Sequence, residues 1–249
     1  MAAKHLEYVR ANGDLAKLEL DEIEEMSPSR FAIYDGTLVE VVRGTRYDHA
    51  IYKQNVMVIA QKAHKTFQRG LEQPNPFAND PSTYIQTLVQ TNMTNKGGEF
   101  DESDTVVIKD IKINLPVFGG KPTAQLGGVC TNAKVTSFPN SIDPAMIALR
   151  FLNQLYVEFL KGQDVILREK AIRFASDETI RAIYGANASA YANNGGGKNL
   201  MKSVIVLRGG KDFGVRLTPL ADFDLTTATG IDMELPLEVQ LETTELRGQ

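Results

Sequence analysis

The chain has 249 residues, with a single cysteine, three histidines and no tryptophan. One cysteine, Cys130, excludes a disulfide scaffold. With no histidine near it in sequence, it reads as a buried structural thiol rather than a nucleophile. His5, His49 and His64 form no H-x-H or H-E-x-x-H pair, and all three precede the main β-patterned region. A cupin-type metal site, which gathers histidines from neighbouring strands, is therefore not expected. The lack of tryptophan and the scatter of the tyrosines argue against a sugar-processing enzyme and a sugar-stacking lectin. Long apolar runs are missing too: Val56 to Ala60 is typical, against the ~20 residues that span a bilayer. Met1 to Glu7 lacks the apolar core of a signal peptide. These absences predict a soluble protein made in a reducing cytosol.

Net charge is −4, with 43% hydrophobic and 23% charged residues, which is ordinary globular composition and argues against disorder. The charge has a location. Within residues 1–26, Lys4, Arg10 and Lys17 face Glu7, Asp14, Glu19, Asp21, Glu22, Glu24 and Glu25. That leaves 24 basic and 24 acidic residues beyond it, a neutral body. Ala16, Leu20 and Ile23 are spaced as a thin helical stripe. Residues 1–29 are thus expected to form an acidic, partly helical arm, closed by Pro28. Because phosphate binding needs clustered Lys and Arg, direct nucleic-acid binding is not expected.

The segment 30–104 is expected to hold a hairpin, a helix and long loops. Phe31 to Tyr34 and Thr37 to Val42 flank Asp35-Gly36, a pair that accepts the positive φ angles of a type I′ turn. Tyr52, Val56, Ile59, Ala63 and Phe67 predict a helix over 48–69, with Asp48 as cap and Gly70 beyond its end. His49 and His64 would lie near its ends. A proline-punctuated loop follows at 71–82, then a strand at 83–93 and a polar loop at 95–104.

From residue 105 to 249 alternation dominates, predicting one large antiparallel β domain. Strands are expected at 107–115, 129–138, 165–174 and 200–207, the last buried on both faces. Leu155, Val157 and Phe159 alternate with polar neighbours. Asp143-Pro144 starts a short helix ending near Leu152, and Ser176 starts another over 177–184. In 213–225 and 231–242 the odd positions are mostly apolar and the even ones mostly polar, so one face lies in a core and one in water. Pro236 marks an edge or a bulge, since it cannot donate to a ladder.

The motifs that invite chemistry fail on inspection. Asn194-Gly195-Gly196-Gly197-Lys198-Asn199 lacks the first glycine, the terminal hydroxyl and the following helix of a phosphate loop. It reads as a hairpin loop. The acidic groups Asp101-Glu102-Ser103-Asp104 and Asp222, Asp224, Asp232 and Glu234 supply oxygen ligands without EF-hand spacing, and read as solvated turns and strand faces. No catalytic, cofactor-binding or metal-binding residue is assigned.

Three patterns carry a family likeness: the strand Val107 to Leu115, the helix at Asp143 between strands, and the terminal run Leu237 to Gly248. With these the chain resembles jelly-roll capsid proteins of bacteriophages, of the single or double jelly-roll type. The resemblance implies a mainly β, antiparallel jelly-roll-like sandwich with an N-terminal helical arm and one or two inserted helices. It further implies a virion structural protein made in the host cytoplasm. Such a protein self-assembles into a shell as a trimer or capsomer and contacts other virion proteins, with no cofactor and no transmembrane segment. The alternatives are a phage tail, spike or decoration module, a β-sandwich ligand binder, and an enzyme of unrecognised type.

Overall fold

The computed structural model describes residues 5–9, 15–19, 30–52, 64–67, 91–93, 99–114, 120–121, 133–134, 151–176, 179, 204–220 and 235–248. These residues are mainly β, and every strand pair among them is antiparallel. A seven-stranded sheet holds β1 (His5–Val9), β2 (Leu15–Glu19), β3 (Phe31–Tyr34), β4 (Thr37–Tyr52), β6 (Thr105–Asn114), β11 (Ile205–Arg208) and β13 (Leu235–Gly248). Its order is β11-β6-β13-β4-β3-β1-β2. A four-stranded sheet of β5 (His64–Thr66), β9 (Leu155–Lys161), β10 (Asp164–Lys170) and β12 (Phe213–Pro219) has the order β10-β9-β12-β5. The short strands β7 (Gly120–Lys121) and β8 (Ala133–Lys134) pair with each other.

The hairpin predicted at Asp35-Gly36 is present. Asp35 has φ 54° and Gly36 φ 80°, and Tyr34 pairs with Thr37. The predicted alternation also holds where it is described. Phe213, Val215 and Leu217 of β12 and Leu237, Val239 and Leu241 of β13 are all fully buried. Pro236 pairs with Ile51 of β4 but lies beyond the end of β6, whose pairing with β13 begins at Glu238. On its β6 side, therefore, the described ladder leaves position 236 without a partner. The bulge lies further on, between Glu242 and Thr243.

Several expectations are corrected. In place of a helical stripe, the arm supplies β1 and β2, a hairpin that pairs Leu6 with Leu18 and adds to β3 through Leu6–Tyr34. The free edge of β3 offers backbone partners, and Leu6 and Leu18 are buried by joining it, which the thin stripe could not match. Leu20 and Ile23 lie outside the described residues. The helix expected over 48–69 is replaced at both ends: β4 runs through Asp48 to Tyr52, and His64 to Thr66 form β5. Residues 53–63 lie outside the described residues. The strand expected at 165–174 ends at Lys170 and continues as a 3-10 helix over Ala171–Phe174, which buries Ala171, Ile172 and Phe174. Rather than being buried on both faces, β11 is a sheet edge, with Ile205 and Val206 half-buried.

Residues 151–153 are helical, at the end of the helix expected from Asp143. The Ser176 hydroxyl accepts the Thr179 amide at 3.2 Å, as a helix cap does. The rest of both helices, the strand at 83–90 and most of 129–138 lie outside the described residues.

The main core fills the space between the two sheets. At its centre Phe213 stacks on Phe100 at 5.1 Å and meets Phe67 at 5.8 Å and Phe159 at 6.1 Å. Around them lie Val106, Ile108, Val157, Val215, Val239 and Leu241. Burying each such side chain contributes about 1.5–3 kcal/mol. A second cluster, with Leu6, Leu18, Ala32, Tyr34, Val39, Val41, Val107 and Leu246, lies on the opposite face of the large sheet.

Candidate assembly face

The register between β4 and β13 is unbroken from Leu235–Tyr52 to Gly248–Val39. Side chains in a strand alternate between faces, so one set of positions can be followed along the whole inner face. On β13 it runs Leu237, Val239, Leu241, Thr243, Glu245, Arg247. On β4, in register, it runs Asp48, Arg46, Gly44, Val42, Glu40, Leu38. Crossing to β3 adds Ile33, opposite Leu38, and Phe31, opposite Glu40.

This inner face changes character along its length. Leu237, Val239 and Leu241 lie in the closed core. Next comes a charged collar. The Arg46 Nε donates to Glu245 Oε1 at 2.6 Å, and Arg247 Nη2 donates to Glu245 Oε2 at 2.8 Å. Arg46 also lies over the Phe100 ring at 5.8 Å and donates to the Asn92 carbonyl. Burial pushes the Glu245 carboxyl up, but the hydrogen bonds and charges of Arg46 and Arg247 outweigh it and hold the group below the ordinary carboxylate range. Beyond the collar the face turns apolar again. Phe31 is 46% exposed, Ile33 40% and Leu38 49%. On the same strands, Ala32, Tyr34 and Val39 point the other way and are buried.

Phe31, Ile33 and Leu38 therefore form an apolar shelf, on the surface that elsewhere packs against the small sheet. Two ion pairs flank it. Lys17 Nζ lies 2.7 Å from Glu7 Oε1, and the register sets Glu7 beside Ile33. Arg30 Nε donates to Glu40 Oε1 at 2.7 Å, and Arg30 also lies over the Phe31 ring.

A second clamp lies on the outer face of the small sheet. Glu158, 3% exposed, accepts from Arg216 at 2.5 Å, from Arg168, and from the Thr218 hydroxyl at 3.1 Å. Here too burial raises the carboxyl while the arginine and threonine hydrogen bonds outweigh it, so it stays ionised.

The acidic turn 101–104 proves to be structural. The Asp104 amide donates to the Asp101 carbonyl, Gly209 to the Asp104 carbonyl at 2.7 Å, and Gly210 to the Phe100 carbonyl at 3.0 Å. Asp104 is raised by burial and by the nearby charges of Asp101 and Glu245, against the Ser103 hydrogen bond and Arg247. His5 and His49 stand on β1 and β4 of the large sheet and His64 on β5 of the small one. Among the described residues no three His, Cys, Asp or Glu come together as metal ligands, and no helix is long and apolar enough to cross a membrane. Cys130, the Asn194–Asn199 loop and Asp222, Asp224, Asp232 and Glu234 lie outside the described residues.

Compared with protein-family models, curated proteins and solved structures, the chain matches none.

The collar and the shelf were not recognised in the sequence. Arg46 and Glu245 are 199 residues apart, and no local pattern links them. The one local signal was the run Phe31, Ile33, Leu38, apolar at positions where a solvated face would be polar.

Proposed function

We propose that the chain is a self-assembling structural subunit, a virion shell protein built on a jelly-roll-like sandwich and acting through contacts with its own copies and other virion proteins. The observation that carries this reading is the exposed shelf of Phe31, Ile33 and Leu38. Apolar side chains left open on a sheet face next to a sealed core suit a contact surface. Strand order supports the sandwich: the chain passes from β4 in the large sheet to β5 in the small one, back to β6, across to β9 and β10, back to β11, to β12 and finally to β13. Repeated crossing between two antiparallel sheets is how double-sheet jelly rolls close. The carboxylates of Glu158 and Glu245 are each held by two arginines within the fold, so their charge serves the scaffold.

Negative-stain microscopy of the purified, concentrated chain, with and without Ca²⁺, tests this. Ring-shaped capsomers or closed shells are expected. A field of uniformly monomer-sized particles under both conditions overturns the reading.

A further inference from the structure

We infer that the shelf of Phe31, Ile33 and Leu38 docks on the same shelf of a second copy of this chain, as a two-fold contact between sheet faces; this rests on the assembly reading above. The surface is continuous. The shelf occupies inner-face positions that, further along β4 and β13, pack against another β-sheet. A flat, pleated apolar face is matched by another such face about 10 Å away. On two sides of the shelf stand Lys17–Glu7 and Arg30–Glu40, each a cation with an anion. Lys17 and Arg30 are 64% and 73% exposed, so both can reach a partner. A copy turned by 180° about an axis lying in the plane of the shelf, between the two pairs, would set one pair over the other. Each cation then has an anion within reach, and no net charge is brought together. A partner with a single-sign face has no such fit. The shelf is small. Three side chains are a small part of the roughly 800 Å² per partner of a stable pair. The contact is therefore weak alone and strengthens with concentration or with additional contacts in a larger assembly.

Isologous symmetry sets a residue near the axis beside its own copy, which a cysteine probe reads directly. In a Cys130→Ser background, Leu38→Cys is expected to form a chain-to-chain disulfide under mild oxidation, with Val165→Cys on the β9–β10 hairpin as the exposed control that does not. In the otherwise unchanged chain, Leu38→Glu is expected to lower the associated fraction at least tenfold while leaving the melting temperature unchanged. If the unaltered chain associates but Leu38→Cys does not cross-link above the control, or Leu38→Glu associates as before, the shelf contact is wrong and assembly runs through another surface. If the unaltered chain never associates, the assembly reading falls and this contact with it.

Discussion

Asp48 of β4 holds Phe67 at the end of β5: the Asp48 carboxylate accepts the Phe67 amide at 2.6 Å, joining the large sheet to the small one. Both residues are buried, and Phe67 has a positive φ of 61°, a conformation that costs a bulky residue energy and persists only where its surroundings hold it. The carboxylate does so from the opposite sheet, and the Phe67 ring is thereby aimed at Phe213.

Asp48→Ala leaves a buried amide without this acceptor. The expected loss is about 2–3 kcal/mol, or roughly 4–12 °C in melting temperature for a chain of this size. Asp48→Asn keeps an oxygen acceptor and is expected to lose less than half as much. Thermal melts of the two variants check the order.

Stability is expected to depend on pH with two opposed contributions. Glu158 and Glu245 have folded pKa values below the ordinary 4.5, so they bind protons less tightly when folded. Their contribution is present above pH 4.5 and is lost as pH falls through their folded values. Asp110 is raised above 3.8, by burial first and by Glu242, against the Ile111 amide and Lys112. It binds its proton more tightly when folded, so stability declines as pH rises from 3.8 through its folded value. Asp110→Asn, which can still accept the Ile111 amide, is expected to raise the melting temperature at pH 7 and to leave it unchanged at pH 3. Glu245→Gln is expected to lower it at pH 7. Melts across this range test both signs.

Gly209 admits no side chain. A Cβ there would lie 1.6 Å from the Asp101 carbonyl oxygen and 2.6 Å from its carbon, both backbone atoms. Gly209→Ala is expected to cost about 3 kcal/mol, at the upper end of overpacking, and to open the clasp between the 101–104 and 209–210 turns. Gly162→Ala, at φ +62° with nothing within 4 Å, carries only the conformational penalty of about 1 kcal/mol. Urea titrations of the pair separate the two effects.

Thr244 is fully buried between Val107 and Arg43 in register, and its hydroxyl has no hydrogen-bond partner among the described residues. Thr244→Val keeps the shape and removes the unpaired hydroxyl. It is expected to stabilise by about 1 kcal/mol, seen as a higher denaturant midpoint with an unchanged slope.

Where the fold was legible in the sequence, a local rule was enough. Asp35-Gly36 satisfied a turn, and the alternation of Leu237, Val239 and Leu241 reported one buried face. The first part of β4, Thr37 to Val42, was legible as a hairpin strand, but its continuation to Tyr52 was not, because the inner positions at 44, 46 and 48 are Gly, Arg and Asp instead of apolar residues. Arg46 and Asp48 are made acceptable inside by Glu245 and by the Phe67 amide, partners that only the tertiary structure brings near. With the strand signal interrupted, the helical spacing from Tyr52 to Phe67 prevailed. The arm failed for a related reason: its five-residue strands have too little pattern to declare themselves until the edge of β3 pairs with them. The shelf was visible as residues and invisible as a site, because exposure is a property of the assembled sheets.

The open end of the large sheet, with Phe31, Ile33 and Leu38 exposed, is proposed as a surface for self-association. Multi-angle light scattering of the full chain over a hundredfold range of concentration, beside Leu38→Glu, tests it most directly. The mass of the unaltered chain is expected to rise with concentration while Leu38→Glu stays at 27.4 kDa with an unchanged melting temperature. A mass fixed at that of the monomer throughout, or equal association of the two chains, would contradict it.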